Sequence, residues 1–300
     1  MKYLMIALAF LAGCEIGVGN HEQGQETGQS SKTNHESSVR FLCVGMEYSA
    51  RFGSCPGCSA DVTRMSNLLS GKYGYTGDTL ISEKATKFNV VNLLKSGIDG
   101  TPEDGMFIFV YSGHGGQEYL GGDEPSGADE EDEYLCLYDR HMLDDEIWDI
   151  VRACRGRVFM YFDACHSATM YRSVSSELLY SSKGSRGRVS LMSASNLIRS
   201  SGFTFSISDN IAVRPLSTGG SSVAEPRIMC WSGCKESEYS YGGSNGGVMT
   251  SALIRNWHEG ITYVDLWSCV VRDVRKAQPT QNPVCTKIGS GFSWSMEAFR

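Results

Sequence analysis

The chain has 300 residues, with 34 acidic and 27 basic side chains and a formal net charge of −7. Hydrophobic residues at 41% and charged residues at 20% describe a globular chain and exclude a disordered or fibrous one. The length suits one large domain or two small ones. An acidic balance excludes a general nucleic-acid binder, which needs a basic face. The acidity is local, because residues 118–149 hold thirteen acids and one base, Arg140. That stretch carries −12 and leaves the rest of the chain at +5.

Residues 1–14 read MKYLMIALAFLAGC, one Lys and a short apolar run followed by small residues. This pattern predicts an export signal, too short to span a bilayer. Residues 11–14 resemble the lipobox of bacterial lipoproteins, which implies a lipidated Cys14 and a membrane tether. The alternatives are a plain cleaved signal or a chance apolar start. The expected localisation is exported, either secreted or as a membrane-anchored lipoprotein. Residues 15–39 are polar, rich in Gly, Gln, Ser and Asn, and read as a flexible tether.

Eleven cysteines are present. Cys43, Cys230 and Cys285 lie in apolar runs, where a thiol behaves as a small hydrophobe. Cys55-Pro-Gly-Cys58 has redox or zinc spacing, but no second CxxC completes a four-thiolate zinc site.

In chain order, residues 41–46 read as a buried strand, 60–73 as a helix stopped by Gly71 and Gly74, 79–82 as a strand and 89–98 as a helix. Residues 105–112 (GMFIFVYS) form a continuous apolar run of the kind buried on both sheet faces. Residues 144–154 predict a helix with acids at its N-terminal end. Strands follow at 157–163, 188–194 and 227–232, then helices at 247–257 and 263–277. Residues 197–226 have no clear period and read as an irregular loop or linker. Strands alternating with helices predict an α/β domain with a mostly parallel sheet and helices on both faces. A large part spans 40–196 and a smaller part, 227–300, belongs to the same domain. A monomer is expected.

Open parallel sheets place their sites at the carboxyl ends of strands. The run GMFIFVY ends in Ser112-Gly113-His114-Gly115-Gly116, and RVFMYF ends in Asp163-Ala164-Cys165-His166-Ser167. A Cys and a His on neighbouring strand ends support acyl transfer. His114 accepts the thiol proton and the Cys165 thiolate attacks a peptide carbonyl. The backbone N–H groups of Gly115 and Cys165 are natural oxyanion donors. His166 is the weaker base.

The motifs SGHGGQ and DACHSA, with DEEDEYLCLYD and LDDEIWDIV between them, resemble those of the metacaspases, cysteine peptidases of the caspase–hemoglobinase fold. The segments WSGCKE and GGVMT resemble the family's small-subunit part, and residues 282–288 fit its closing strand. The resemblance covers about residues 40–300. It implies a protein or peptide substrate with a basic P1 residue. Asp163 and Asp61 would hold that residue, together with Cys58 of the CSAD segment and Ser112. A buried anion pair recognises a guanidinium or ammonium. Asp61 has a second reading, as an acid at a helix N-terminus.

The resemblance also implies Ca2+, with Asp144 and Asp145 as paired ligands and Asp129 or Asp132 as the third; calcium takes six to eight oxygens. The rival reading is a solvated acidic loop. The chain departs from the family at Arg172, where another aspartate is usual, at Ala168 in place of Gly, and at residues 236–243. Self-cleavage, which the resemblance also implies, would fall after Lys183, Arg186 or Arg188, with Arg199, Arg214 and Arg227 as alternatives; Pro215 makes the bond after Arg214 a poor one. The functions competing with an Arg/Lys-directed endopeptidase are a catalytically silent caspase-like binding module and a related peptidase with a different P1 preference.

Overall fold

The computed structural model describes residues 38–119, 131–165, 211–214, 225–235 and 238–300. Its centre is a seven-stranded sheet. In chain order the contributing strands are β1 (Val39–Gly45), β4 (Thr76–Ile81), β5 (Met106–Ser112), β9 (Arg157–Asp163), β10 (Ile211–Arg214), β11 (Arg227–Ser232) and β14 (Val284–Ile288). In space the order is β10-β14-β11-β9-β5-β1-β4. Every pairing is parallel except β11 with β14. The strands β5 and β9 lie at the middle, and β5 is buried at all seven positions. That is why both read as unbroken apolar runs instead of alternating ones.

Side chains of these strands leave alternately to two cores. Phe41 and Cys43, Ile108 and Val110, Phe159 and Tyr161 face one side, where they meet helices α1 (Cys58–Tyr73), α4 (Val248–Asn256) and α5 (Tyr263–Ala277). Leu42 and Val44, Phe107 and Phe109, Val158 and Met160 face the other, covered by α2 (Lys87–Asp99) and α3 (Asp144–Val151). Helix α5 buries Tyr263, Leu266, Trp267, Val270, Val271 and Val274, the i, i+3, i+4, i+7 spacing of one helical face. Each such side chain contributes about 1.5–3 kcal/mol on burial. Thr262 caps the helix by accepting from the Asp265 N–H at 3.2 Å.

Differences from the sequence reading are local. Helix α1 begins at Cys58, two residues early, because Gly57 turns the chain with φ 96° and the Glu47 carboxylate takes the Gly57 and Ser59 N–H groups at 3.0 Å each. Strand β4 starts at Thr76 and not at residue 79, since its pairing with β1 extends back to Arg40. Residues 197–226 are not irregular throughout, because Ile211–Arg214 pairs with β14 at the sheet edge. The reading missed a small antiparallel sheet of β6 (Gly115–Tyr119), β7 (Glu131–Cys136) and β8 (His141–Leu143), whose glycine- and acid-rich strands lack an apolar alternation. Two ribbons, β2–β3 (Tyr48–Ser49, Gly53–Ser54) and β12–β13 (Gly242–Gly243, Gly246–Gly247), complete the elements used below. The strand expected at 188–194 lies outside the described residues. No described helix is long and apolar enough to cross a membrane.

Candidate active site

Parallel pairing of β5 with β9 puts Ser112 opposite Asp163, so both strands release their chains at one edge of the sheet. The Gly113 N–H continues the ladder to the Asp163 carbonyl at 3.3 Å. His114 and Cys165 therefore emerge side by side, both half-buried. A Cβ on Gly115 would overlap the Cys165 carbonyl oxygen, so the two motifs touch backbone to backbone and only glycine fits. The His114 carbonyl is anchored by the Cys136 N–H at 3.0 Å and the buried Tyr111 hydroxyl at 2.7 Å. Its ring Nε2 lies 3.0 Å from the Ser54 carbonyl oxygen. The Cys165 thiol donates to the Ser240 carbonyl, with Sγ 3.7 Å from that oxygen. Burial raises the Cys165 pKa.

Because Cys136 N–H bonds to the His114 carbonyl, Gly115 and Leu135 form a non-hydrogen-bonded pair of the antiparallel ladder. The Gly115 N–H is thus directed away from β7.

Behind the strand ends lies a buried acidic pair. Asp61, 1% exposed, accepts from the Ser112 hydroxyl at 2.8 Å, from the Gly247 N–H at 2.8 and 3.0 Å, and from Arg64 Nη2 at 2.7 Å. Asp163, 5% exposed, accepts from the Ser240 hydroxyl at 2.6 Å and from the Thr250 N–H and hydroxyl at 2.9 and 2.8 Å. Burial, with the charge of Asp163 adding to it, raises the Asp61 pKa to about 6; burial also raises that of Asp163. Two carboxylates against the one guanidinium of Arg64 leave a negative charge in a desolvated place. Cys58 is buried beside them, its thiol in contact with Ser112 and with Cys55.

Residues 40–173 match the family model described as metacaspase, peptidase C14 domain. Metacaspase-1 of Debaryomyces hansenii is 29% identical over 272 residues, 77% of this chain and 59% of the relative, so the chain spans about three fifths of that relative's length. A protein of Geobacter sulfurreducens of known crystal structure superposes with a TM-score of 0.60 at 23% identity, covering 86% of this chain and 96% of its own. Caspase-1 of Spodoptera frugiperda superposes with a TM-score of 0.50 at 13% identity, covering 84% of this chain and 87% of its own. These likenesses show the fold, an α/β sandwich of the caspase–hemoglobinase type.

The strand-end topology brings His114, Gly115, Cys165, Ser112, Asp163, Asp61 and Cys58 to one locality. Asp61 sits in the first turn of α1, and its carboxylate faces the end of β5 at Ser112. The sequence missed Ser240, Thr250, Gly247 and Arg64 as partners of the acids. Gly247 and Thr250 stand in the GGVMT segment, which was a signal; Ser240 stands in the divergent residues 236–243 and gave none.

Of the four calcium ligands that the resemblance implies, only the side chains of Asp144 and Asp145 are described. Asp129 and the Asp132 side chain lie outside the described residues. Asp144 is buried at the start of α3, where its Oδ1 takes the Asp145 N–H at 2.9 Å, while Asp145 is exposed. No group of three His, Cys, Asp or Glu side chains placed to hold a metal ion exists among the described residues. Lys183, Arg186, Arg188 and Arg199, like Ala168 and Arg172, lie outside them too. Arg227 is excluded as a cleavage point: it opens β11, is paired with Arg157 in the sheet, and its guanidinium bonds to the Glu103 and Arg155 carbonyls.

Proposed function

We propose that the chain is a metacaspase-type cysteine endopeptidase that cuts after Arg or Lys. The observation that carries this is the buried pair Asp61 and Asp163 set directly behind the Ser112 and Cys165 strand ends. A P1 guanidinium entering there meets unbalanced negative charge in a low-dielectric place, where charge-assisted hydrogen bonds are strongest. An Asp side chain would be repelled.

The chemistry needs the Cys165 thiolate. Burial disfavours that anion, so a base is required, and His114 is the imidazole on the adjacent strand end. His114 takes the proton as sulfur attacks the P1 carbonyl. The N–H groups of Gly115 and Cys165 receive the oxyanion. Collapse expels the amine, protonated by His114, and leaves a thioester. Water, deprotonated by His114, then releases the acid and restores the thiol.

Calcium activation and self-processing belong to the proposal and rest on the acidity of residues 118–149 and the bases of residues 183–188; no catalytic step is routed through the ion. Export, and anchoring through a lipidated Cys14, rest on residues 1–14 and are read out by fractionation and by the mass of the mature N-terminus. The monomeric state is checked by light scattering.

The deciding experiment uses fluorogenic peptides ending in Arg, Lys, Asp or Asn. Cleavage of the Arg and Lys peptides, lost in Cys165→Ala and His114→Ala by about 10³-fold or more, is expected. No cleavage of any peptide, or cleavage that survives Cys165→Ala, points to the silent binding module instead. Preference for Asp or Asn refutes the role of the acidic pair.

A further inference from the structure

Cys55, the first residue of the CxxC motif, has no part in the peptidase chemistry described above. Cys55 and Cys58 flank Pro56-Gly57, and the Cys58 N–H closes on the Cys55 carbonyl at 3.4 Å. Gly57 has φ 96° and ψ −9°, the i+2 corner of a type II turn with proline at i+1. Such a turn holds its end Cα atoms within about 7 Å, which overlaps the range of about 4.4–6.8 Å that a disulfide needs. Neither sulfur is bonded in a disulfide. The two differ in access, since Cys55 is half-buried and Cys58 is 5% exposed.

We propose that Cys55 and Cys58 form a reversible dithiol–disulfide couple, and that closing it slows turnover at Cys165. The first half stands on the turn alone; the second rests on the peptidase reading above. The turn is joined to both parts of the site. Ser54, the residue before Cys55, supplies the carbonyl at His114 Nε2, 3.0 Å away. The Cys58 thiol also touches Ser112, whose hydroxyl holds Asp61 at 2.8 Å. Drawing Cys58 Sγ onto Cys55 removes one contact behind the acidic pair and shifts the carbonyl that orients the histidine.

The asymmetry of the thiols gives the order of events. The hydrogen bond from Cys58 lowers the Cys55 pKa, whereas Cys58 is raised by that same bond and by burial. With a low-molecular-weight disulfide such as oxidised glutathione, the Cys55 thiolate attacks one sulfur and releases one thiol. Cys58 then loses its proton, attacks the Cys55 sulfur and releases the second thiol. Two protein thiols and one external disulfide become one protein disulfide and two external thiols, with two electrons passing to the oxidant.

The couple is tested on full-length Cys165→Ala protein equilibrated with mixtures of reduced and oxidised glutathione, quenched in acid, alkylated and digested with trypsin. Both cysteines fall on the single peptide of residues 52–64. Expected is a shift from a doubly alkylated peptide to an unlabelled one about 2 Da below the free dithiol, reversed by dithiothreitol. Double alkylation in every mixture, or a Cys55–glutathione adduct that never resolves, overturns the couple whether or not the protein is a peptidase. For the second half, wild type and Cys55→Ser are assayed on a P1-Arg peptide before and after the oxidised mixture. Wild type should lose about tenfold or more and recover on reduction, because a displacement of about 1 Å can cost 10²-fold in rate. The variant should lose several-fold less. Equal losses in the two proteins, or a Cys55–Cys165 linkage in wild type, overturn the control of turnover.

Discussion

Asp61 is the residue whose charge state matters most to the proposed specificity. Its pKa of about 6 lies above the ordinary value near 3.9, because burial and the neighbouring Asp163 disfavour the anion. The folded protein therefore holds this proton where the unfolded chain has released it, and ionising Asp61 costs stability as pH rises from about 4 to about 6. Cation binding needs the anion, so kcat/KM for a P1-Arg peptide should fall as pH drops below about 6. The limb in kcat should lie lower, since bound guanidinium favours the ionised form. Arg64, 2.7 Å from Oδ1, does part of this in the resting protein. Arg64→Gln should move the kcat/KM limb to higher pH; a limb that stays in place would refute the assignment to Asp61.

At the scale of elements, the start of α1 is held by a turn that only glycine makes without strain. Gly57 has φ 96°, and a Cβ there would run into the Gly243 carbonyl of the β12–β13 ribbon. That ribbon carries Gly247, whose N–H binds Asp61, so helix start and acidic pair are mechanically joined. Gly57→Ala should cost more than the roughly 1–2 kcal/mol of left-handed strain, each kcal/mol lowering Tm by about 2–4 °C. Gly53, φ 84°, is exposed with nothing near its missing Cβ, so Gly53→Ala carries the strain alone. Equal Tm losses in the two variants would show that the contact with Gly243 does not matter.

For the molecule as a whole, the charge of −7 is the sum of a mildly basic body and one acidic stretch between the His114 and Cys165 strands. If that stretch binds calcium, adding the ion should raise Tm by mass action and raise peptidase activity, and chelator should reverse both. The same incubation should yield fragments ending at Lys183, Arg186 or Arg188. Activity and Tm indifferent to chelator would remove calcium from the mechanism and leave the peptidase intact. A fully active preparation that stays a single band would remove self-processing.

The amino-acid sequence by itself determined the order of strands and helices, the α/β class and the two strand-end motifs. Those signals are local: β5 and β9 are apolar runs because both of their faces are buried, and SGHG and DACH are contiguous residues. The small sheet β6–β7–β8 escaped because its strands are short and rich in glycine and acids, with no period to read. Only the tertiary structure decided what holds the acidic pair. Asp163 is bound by Ser240 and Thr250, 77 and 87 residues away, and Asp61 by Gly247, 186 residues away. Hydrogen bonds across such separations depend on which strands become neighbours in the sheet, and hydrophobic periodicity carries no record of that choice.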